Sequence, residues 1–284
     1  KLMKDYFARF GAVRTYLRSV VDQARKDGYT ETIFGRRRYL PELNSSDRRL
    51  RDIAERAALN APIQGSAADL VKVDVGAQVD GYIGDTAQTV EVRTRNWTNL
   101  INASAKALAM AVETVSEGVT VGTISGTIEN AIKSEGFLPV TNLTGHGMGC
   151  YNLHAGLTIA NYDDGNPTKI KKDMMIAIEP FATNGGGEVR NSKPGNIYRI
   201  LRDREVKDDG AMKLMSLIKE NFHGLPFCER WCTALDPKAQ LHLKTLVRHG
   251  ILYAYPILTE IKGGMVSQTE HTVVLNGYKA EVTT

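Results

Sequence analysis

No apolar run in this 284-residue sequence approaches the roughly 18 residues that a membrane-crossing helix needs, so no membrane span is expected. Residues 1–20 lack the architecture of a secretory signal, which leaves a cytoplasmic protein as the expectation. Cysteine is scarce. Cys150, Cys228 and Cys232 form no CxxC pair and make an odd count, which argues against a disulfide framework and for reduced thiols. Cys228 and Cys232 are four apart and would share a helix face, but with only His223 nearby they read as buried small residues rather than zinc ligands. What is present suits a soluble globular protein: 42% hydrophobic and 24% charged residues, in a chain long enough for one large domain or two smaller ones. The sequence opens on lysine, as a fragment or a processed chain would.

Charge is unevenly spread. Residues 1–72 hold 15 Lys and Arg against 9 Asp and Glu, a net of +6; the remainder holds 21 against 23, a net of −2. That asymmetry hints that the front section derives from something that touches nucleic acid. Its pattern predicts a helix from about Gly11 to Lys26, with Val13, Tyr16, Leu17, Val20, Val21 and Ala24 on one face and Gly28 past its end. Two short extended runs flank Gly35, and a second helix starts near Ser46, to be ended or kinked by Pro62.

The runs YFARFGAVRTYLRSVVDQARKDGYTETIFGRRRYLPEL and ERAALNAPIQGSAADLVK closely resemble the fingers-to-palm segment of family-A DNA polymerases over nearly all of residues 6–72. The resemblance implies that Arg56, Asn60 and Gln64, spaced by four on one helix face, match positions that touch the primer–template minor groove. The family's two metal-binding carboxylate motifs have no counterpart here, nor does the nucleotide-binding helix expected before residue 1. The segment is therefore expected to be non-catalytic, with at most a weak, salt-sensitive contact to nucleic acid.

The chemistry-bearing residues lie further on. Asp74, Asp85, His146, Glu179 and Glu270 sit in VDVG, GDTA, GHGM, IEPF and TEHT, each ending or entering an apolar run. Four carboxylates and one imidazole supply enough anionic oxygen to hold two divalent cations about 3.5–4 Å apart. VKVDVGAQV alternates as a strand with Asp74 opposite the valines, and Asp80-Gly81 is a strong two-residue hairpin signal. With that loop, Gly76 faces Asp85 and Asp74 lies diagonal to it, about 7–8 Å away. The hairpin alone leaves two solvent-facing aspartates near a turn as an equally good reading.

Two amphipathic helices follow. Leu100, Ala107, Leu108, Ala111, Val112 and Val115 stripe one; Ile124, Ile128, Ala131 and Ile132 stripe the other, which Gly136 ends, and both are expected to cover a sheet. His146 is flanked by glycines that permit close backbone approach. Glu179 closes the apolar run MMIAIEP, where a carboxylate is either at a strand mouth or buried at a cost. Glu270 shares a strand face with Val266 and Thr272, in a strand that ends at an Asn-Gly turn, while His271 points the other way.

Taken in order, VDVG, GDTA, GHGM, LHAG, IEPFAT and TEHTVVL resemble the methionine aminopeptidases, specifically their archaeal type II branch, from about residue 69 to residue 284. The resemblance implies an α/β fold of the α+β kind. It would be the C-terminal part of a pita-bread metallopeptidase, with a type II helical insertion at about 205–255, preceded by the mainly helical polymerase-like segment. It implies two divalent ions, Co, Mn, Fe or Zn, with Asp74 chelating one, Asp85 and Glu270 bridging both, and His146 and Glu179 serving the other. Glu179 would also shuttle protons, and His154 in LHAG would hydrogen-bond the substrate near the scissile peptide. His271 is read as structural support; His223, His242 and His249 match no site position.

The expected reaction is removal of the N-terminal methionine of peptides and nascent proteins by a metal-activated hydroxide. The family's first half, which supplies much of the methionine pocket, has its place here taken by the polymerase-like piece. The chain therefore reads as a chimera joined at Asp69-Leu70-Val71-Lys72, a tetrapeptide that suits both families, with an intact ligand set and impaired activity expected. A non-catalytic metal- or partner-binding protein and a nucleic-acid-binding module are the alternatives.

Overall fold

A computed structural model describes residues 11–31, 37–64, 70–92, 95–277 and 279–284. The chain divides into two compact units, residues 1–71 with 91–95, and residues 72–90 with 96–284.

In the first unit, helix α1 (Gly11–Asp27) stops at Gly28, whose φ of 76 glycine adopts without strain. A two-stranded ribbon follows, β1 (Tyr29–Glu31) against β2 (Arg37–Tyr39), then a 3-10 turn at Pro41–Asn44 and helix α2 (Arg48–Gln64). Val21, Ala24, Leu40, Leu43, Ala54 and Ala58 form its core. Gly35, expected between the extended runs, lies outside the described residues. Pro62 does not end α2, which continues to Gln64. Proline cannot donate to the carbonyl four residues back, which is that of Ala58, and the Thr30 hydroxyl donates to that carbonyl at 3.4 Å instead.

The second unit is built on a sheet whose described strands run β3-β4-β13-β8-β6-β7. These are β3 (Leu70–Val79), β4 (Tyr82–Glu91), β6 (Thr144–Met148), β7 (Thr158–Ala160), β8 (Met175–Ile178) and β13 (Val266–Asn276); β5 (Leu138–Pro139), β9 (Phe181–Thr183) and β14 (Lys279–Val282) pair at its margins. The β3–β4 turn is the expected two-residue hairpin loop. Asp80 at φ 50 and Gly81 at φ 86 both take the left-handed region, as a type I′ turn requires. Helix α3 (Thr98–Thr114) lies on β13 and β8 and helix α4 (Val121–Ser134) on β5 and β7, burying Leu100, Ala107, Ile124, Ile128, Ile176 and Val273 in one core. The Thr120 hydroxyl caps α4 by accepting from the Thr123 N–H.

A second core lies against the paired long strands β10 (Val189–Ile200) and β12 (Leu252–Glu260). Helices α5 (Asp209–Phe222), α6 (Glu229–Leu235) and α7 (Ala239–Arg248), with the short strand β11 (Phe227–Cys228), pack Leu214, Met215, Phe227, Cys232 and Leu246 together. Cys228 stands at the N-terminal boundary of α6 without a side-chain capping bond, and Cys232 is buried in this core; burial pushes the Cys232 thiol up to about 11. Among the described residues no helix is long and apolar enough to cross a membrane.

Candidate metal centre

The five acidic and imidazole residues named from the sequence fall on five consecutive strands of the sheet. Asp74 is on β3, Asp85 on β4, Glu270 on β13, Glu179 one residue past β8, and His146 on β6. Register brings their faces together. His146 pairs with Ala177, and Ala177 with Thr272, so these three point the same way, and Glu270 and Glu179, each two residues along, point with them. Glycine lets the strands approach: a Cβ on Gly145 would fall inside contact distance of the Ala177 carbonyl oxygen. Gly76 opens the β3 side, where a Cβ would meet Asp85 Oδ1 at 3.7 Å.

Asp85, His146 and Glu270 are buried and bring one ligand atom each within 4.8 Å of one another. His146 Nε2 is 3.8 Å from Asp85 Oδ2 and 3.7 Å from Glu179 Oε1. Asp74 is the outlying member: its carboxylate is exposed and pairs with Lys72 Nζ at 3.2 Å. The His154 ring lies against His146, centroids 4.4 Å apart, on the rim of the cluster.

Electrostatics follow from this crowding. Burial, then the neighbouring Asp74, pushes Asp85 up to about 6. Burial, then Asp85 and Asp74, pushes Glu270 up to about 8. Burial and the charges of Glu270, Asp74 and Asp85 hold Glu179 well above the usual carboxylate range, with Lys72 opposing. Burial, then His154, pushes His146 down to about 4, so near neutral pH it is the uncharged imidazole that binds metals. His154 is held below its usual value by burial and then by Arg199.

Sequence reasoning missed the polar groups that organise the cluster. Gln268, two residues before Glu270 and on the same face, donates from Nε2 to Glu179 Oε2 at 2.9 Å and Glu270 Oε2 at 3.3 Å. Three threonine hydroxyls tie β4 to β13: Thr89 to Gln268, Thr86 to the Glu270 carbonyl, and Thr272 to Asp85. The period-two alternation of VSQTEHT puts Gln268 on the face of Glu270, but its partners on other elements carry no local signal. His271 points away, its Nδ1 3.2 Å from Thr284 Oγ1, and the other three histidines lie elsewhere. The His223 ring lies tilted against Tyr151, centroids 4.4 Å apart, His242 pairs with Asp236 at 2.5 Å, and His249 Nδ1 is 2.9 Å from the Thr245 carbonyl. Of the three groove-contact candidates, Arg56 is exposed, with its Nε–H donating to the Asp52 carbonyl at 3.1 Å; the side chains of Asn60 and Gln64 lie outside what is described.

The chain is similar to known proteins in two distinct stretches. Residues 1–89 match DNA polymerase family A. A methionine aminopeptidase of Archaeoglobus fulgidus is 43% identical over 216 residues, covering 76% of this chain and 72% of that protein. One from Thermococcus onnurineus is 41% identical over 240 residues, covering 82% and 81%. The polymerase match and this second match overlap within the chain. Among solved structures, a thermophilic Arx1 superposes with a TM-score of 0.63 at 16% identity, covering 74% of this chain and 66% of its own. The methionine aminopeptidase of Rickettsia prowazekii gives 0.50 at 19%, covering 75% and 63%. These likenesses establish a mixed α/β pita-bread metallopeptidase fold, as the motifs led one to expect. The chain belongs to the methionine aminopeptidase family, and ahead of that part it carries a segment related to family-A DNA polymerases.

Proposed function

We propose that this protein is a dinuclear metalloaminopeptidase that removes N-terminal methionine, with turnover reduced by an incomplete pocket. The observation that carries the reading is that buried Asp85, His146 and Glu270 each bring a ligand atom within 4.8 Å of the others, with Glu179 beside His146 and Asp74 at the exposed end of the cluster. The donor set fits divalent ions. Burial first, and the charges of neighbouring carboxylates second, raise the proton affinities of Asp85, Glu179 and Glu270, as suits acidic ligands enclosed to receive cations. Carboxylate oxygens with one neutral imidazole suit Mn, Fe, Co or Zn. Bound there, the ions would supply Lewis acidity and a nucleophile active near neutral pH.

The chain's own residues do the rest. Glu179, whose carboxyl is raised well above the usual range by burial and then by Glu270, Asp74 and Asp85, is suited to accept a proton and pass it to the leaving amine. His154, beside His146, offers a ring N–H to the peptide next to the scissile bond. Asp74, at the exposed end of the cluster, is placed to draw in the free amino group of a substrate, which would confine cleavage to the first residue.

A second reading, a metal-binding protein without efficient turnover, draws support from β3, which is exposed from Lys72 to Val79 and carries Asp74 on an open strand. In sequence, residues related to DNA polymerase family A occupy the stretch where the family's first half would supply much of the methionine pocket. Release of methionine from a Met-Ala-Ser peptide, with added Mn or Co and an Asp85→Ala control, tests the proposal. Release by the parent and loss in the variant are expected. Metal binding without release would replace the first reading by the second.

A further inference from the structure

We propose that Gln268 is a positioning residue of the metal centre: its carboxamide clamps Glu179 and Glu270 together and thereby sets cation affinity. The inference rests on the metal-centre reading above and not on turnover. Gln268 is 1% exposed, among the most enclosed polar side chains of the second unit. Both hydrogens of its amide nitrogen are spent on carboxylates from different strands, Glu179 Oε2 at 2.9 Å and Glu270 Oε2 at 3.3 Å. That contact divides the work of Glu179. One oxygen is held by Gln268, which turns the other, Oε1, toward His146 Nε2 at 3.7 Å and the middle of the cluster.

The clamp is itself anchored. Thr89 Oγ accepts from the Gln268 N–H at 2.8 Å and donates to the Gln268 carbonyl at 2.8 Å, and Thr89 is buried. Among the described residues, the buried side-chain carbonyl Oε1 of Gln268 has no hydrogen-bond partner. A residue kept for packing alone would be better served by leucine or methionine, because an unpaired buried carbonyl is costly. The cost is explained if the N–H groups are what the site needs. Lysine or arginine could also bridge the two carboxylates, but the added positive charge would oppose a divalent cation, whereas an amide donates without net charge. Ligands fixed by such outer hydrogen bonds lose roughly 10- to 100-fold in metal affinity when the partner is removed.

The test uses the full chain, stripped of metal, with Mn or Co added in a calorimetric titration and Co followed by visible absorption. Gln268→Met keeps the volume and removes the donors; Gln268→Glu keeps the polarity, adds a negative charge and removes the donors. Both variants are expected to bind the first cation roughly 10- to 100-fold more weakly than the parent, with a shifted Co spectrum. Affinity within threefold of the parent in the folded Gln268→Met protein would overturn the proposal. So would tighter binding by Gln268→Glu, which would show that charge and not hydrogen bonding governs the site, and that variant decides alone if the methionine variant does not fold. A parent that binds no cation would overturn the metal-centre reading itself, whereas a parent that binds metal without releasing methionine leaves the role of Gln268 standing.

Discussion

The Thr272 hydroxyl accepts from the Asp85 N–H at 2.7 Å and donates to the Asp85 carbonyl at 2.8 Å, so one side chain satisfies both backbone groups of a proposed metal ligand. Thr272 is fully buried and Asp85 nearly so, which leaves no water to replace those bonds. Thr272→Val preserves the shape and strips the hydroxyl. The expected cost is about 1–3 kcal/mol of stability, the usual penalty for orphaning buried backbone groups, and it should appear as a lower urea midpoint with an unchanged slope. Divalent-cation affinity should fall with it, since Asp85 loses its tether. A valine variant as stable as the parent would mean that the strands re-pair through their backbones.

Proton and metal binding should oppose each other between pH 6.5 and 8. Glu270 has a folded-state value of about 8 against 4.5 ordinarily, and Glu179 is raised as well. In this window the folded, metal-free protein holds protons that the unfolded chain has released, so its stability falls as pH rises toward 8. His146, lowered to about 4 from 6.5, acts with the opposite sign but only below 6.5, and Asp85, at about 6, is largely ionised above it. Cation binding displaces the carboxyl protons, so affinity for Mn should climb over the same interval. Thermal melts and Mn titrations at pH 6.5 and 8 read both trends. A metal-free melting temperature that rises with pH would contradict the raised carboxyl values.

Much of this site was legible before any coordinates. Each proposed ligand sits in a short motif at the end of an apolar run, and Asp80-Gly81 fixed a hairpin whose register puts Gly76 beside Asp85, where it is found. The helix stripes of α3 and α4 were equally plain, because period 3.6 is a local property. What stayed hidden was non-local. That β13 inserts between the β3–β4 hairpin and β8, bringing Glu270 between Asp85 and Glu179, is a fact of strand order that no local pattern carries. The continuation of α2 past Pro62 depends on a hydroxyl from β1, and the partners of Gln268 depend on side-chain torsions.

Strand β3 ends the described order of the large sheet and has Val73 and Val75 each 51% exposed and Val79 75% exposed. A flat, apolar edge strand is a template for pairing with another chain. The parent protein is expected to self-associate as its concentration rises and to lose solubility on warming. Val75→Lys places a charge on the face opposite Asp74 and should shift the protein toward monomer, at a stability change within about 0.5 kcal/mol because the site is exposed. Light scattering after size-exclusion chromatography checks this. A parent that stays monomeric and melts cooperatively would show that the edge is covered in solution.

Gly145 is the residue on which the spacing of β6 and β8 depends. A methyl group there would be driven into the Ala177 carbonyl oxygen, a backbone atom that cannot rotate aside, so the two strands must separate. Overpacking of this kind costs about 1–3 kcal/mol. The displacement falls on the residue next to His146 and on the strand that ends at Glu179, so the imidazole and that carboxylate should move apart from their present 3.7 Å. Gly145→Ala is therefore expected to weaken cation binding at least tenfold while the first unit's helices stay intact by circular dichroism. Wild-type affinity in this variant would show that the ligand geometry does not require the close approach of these two strands.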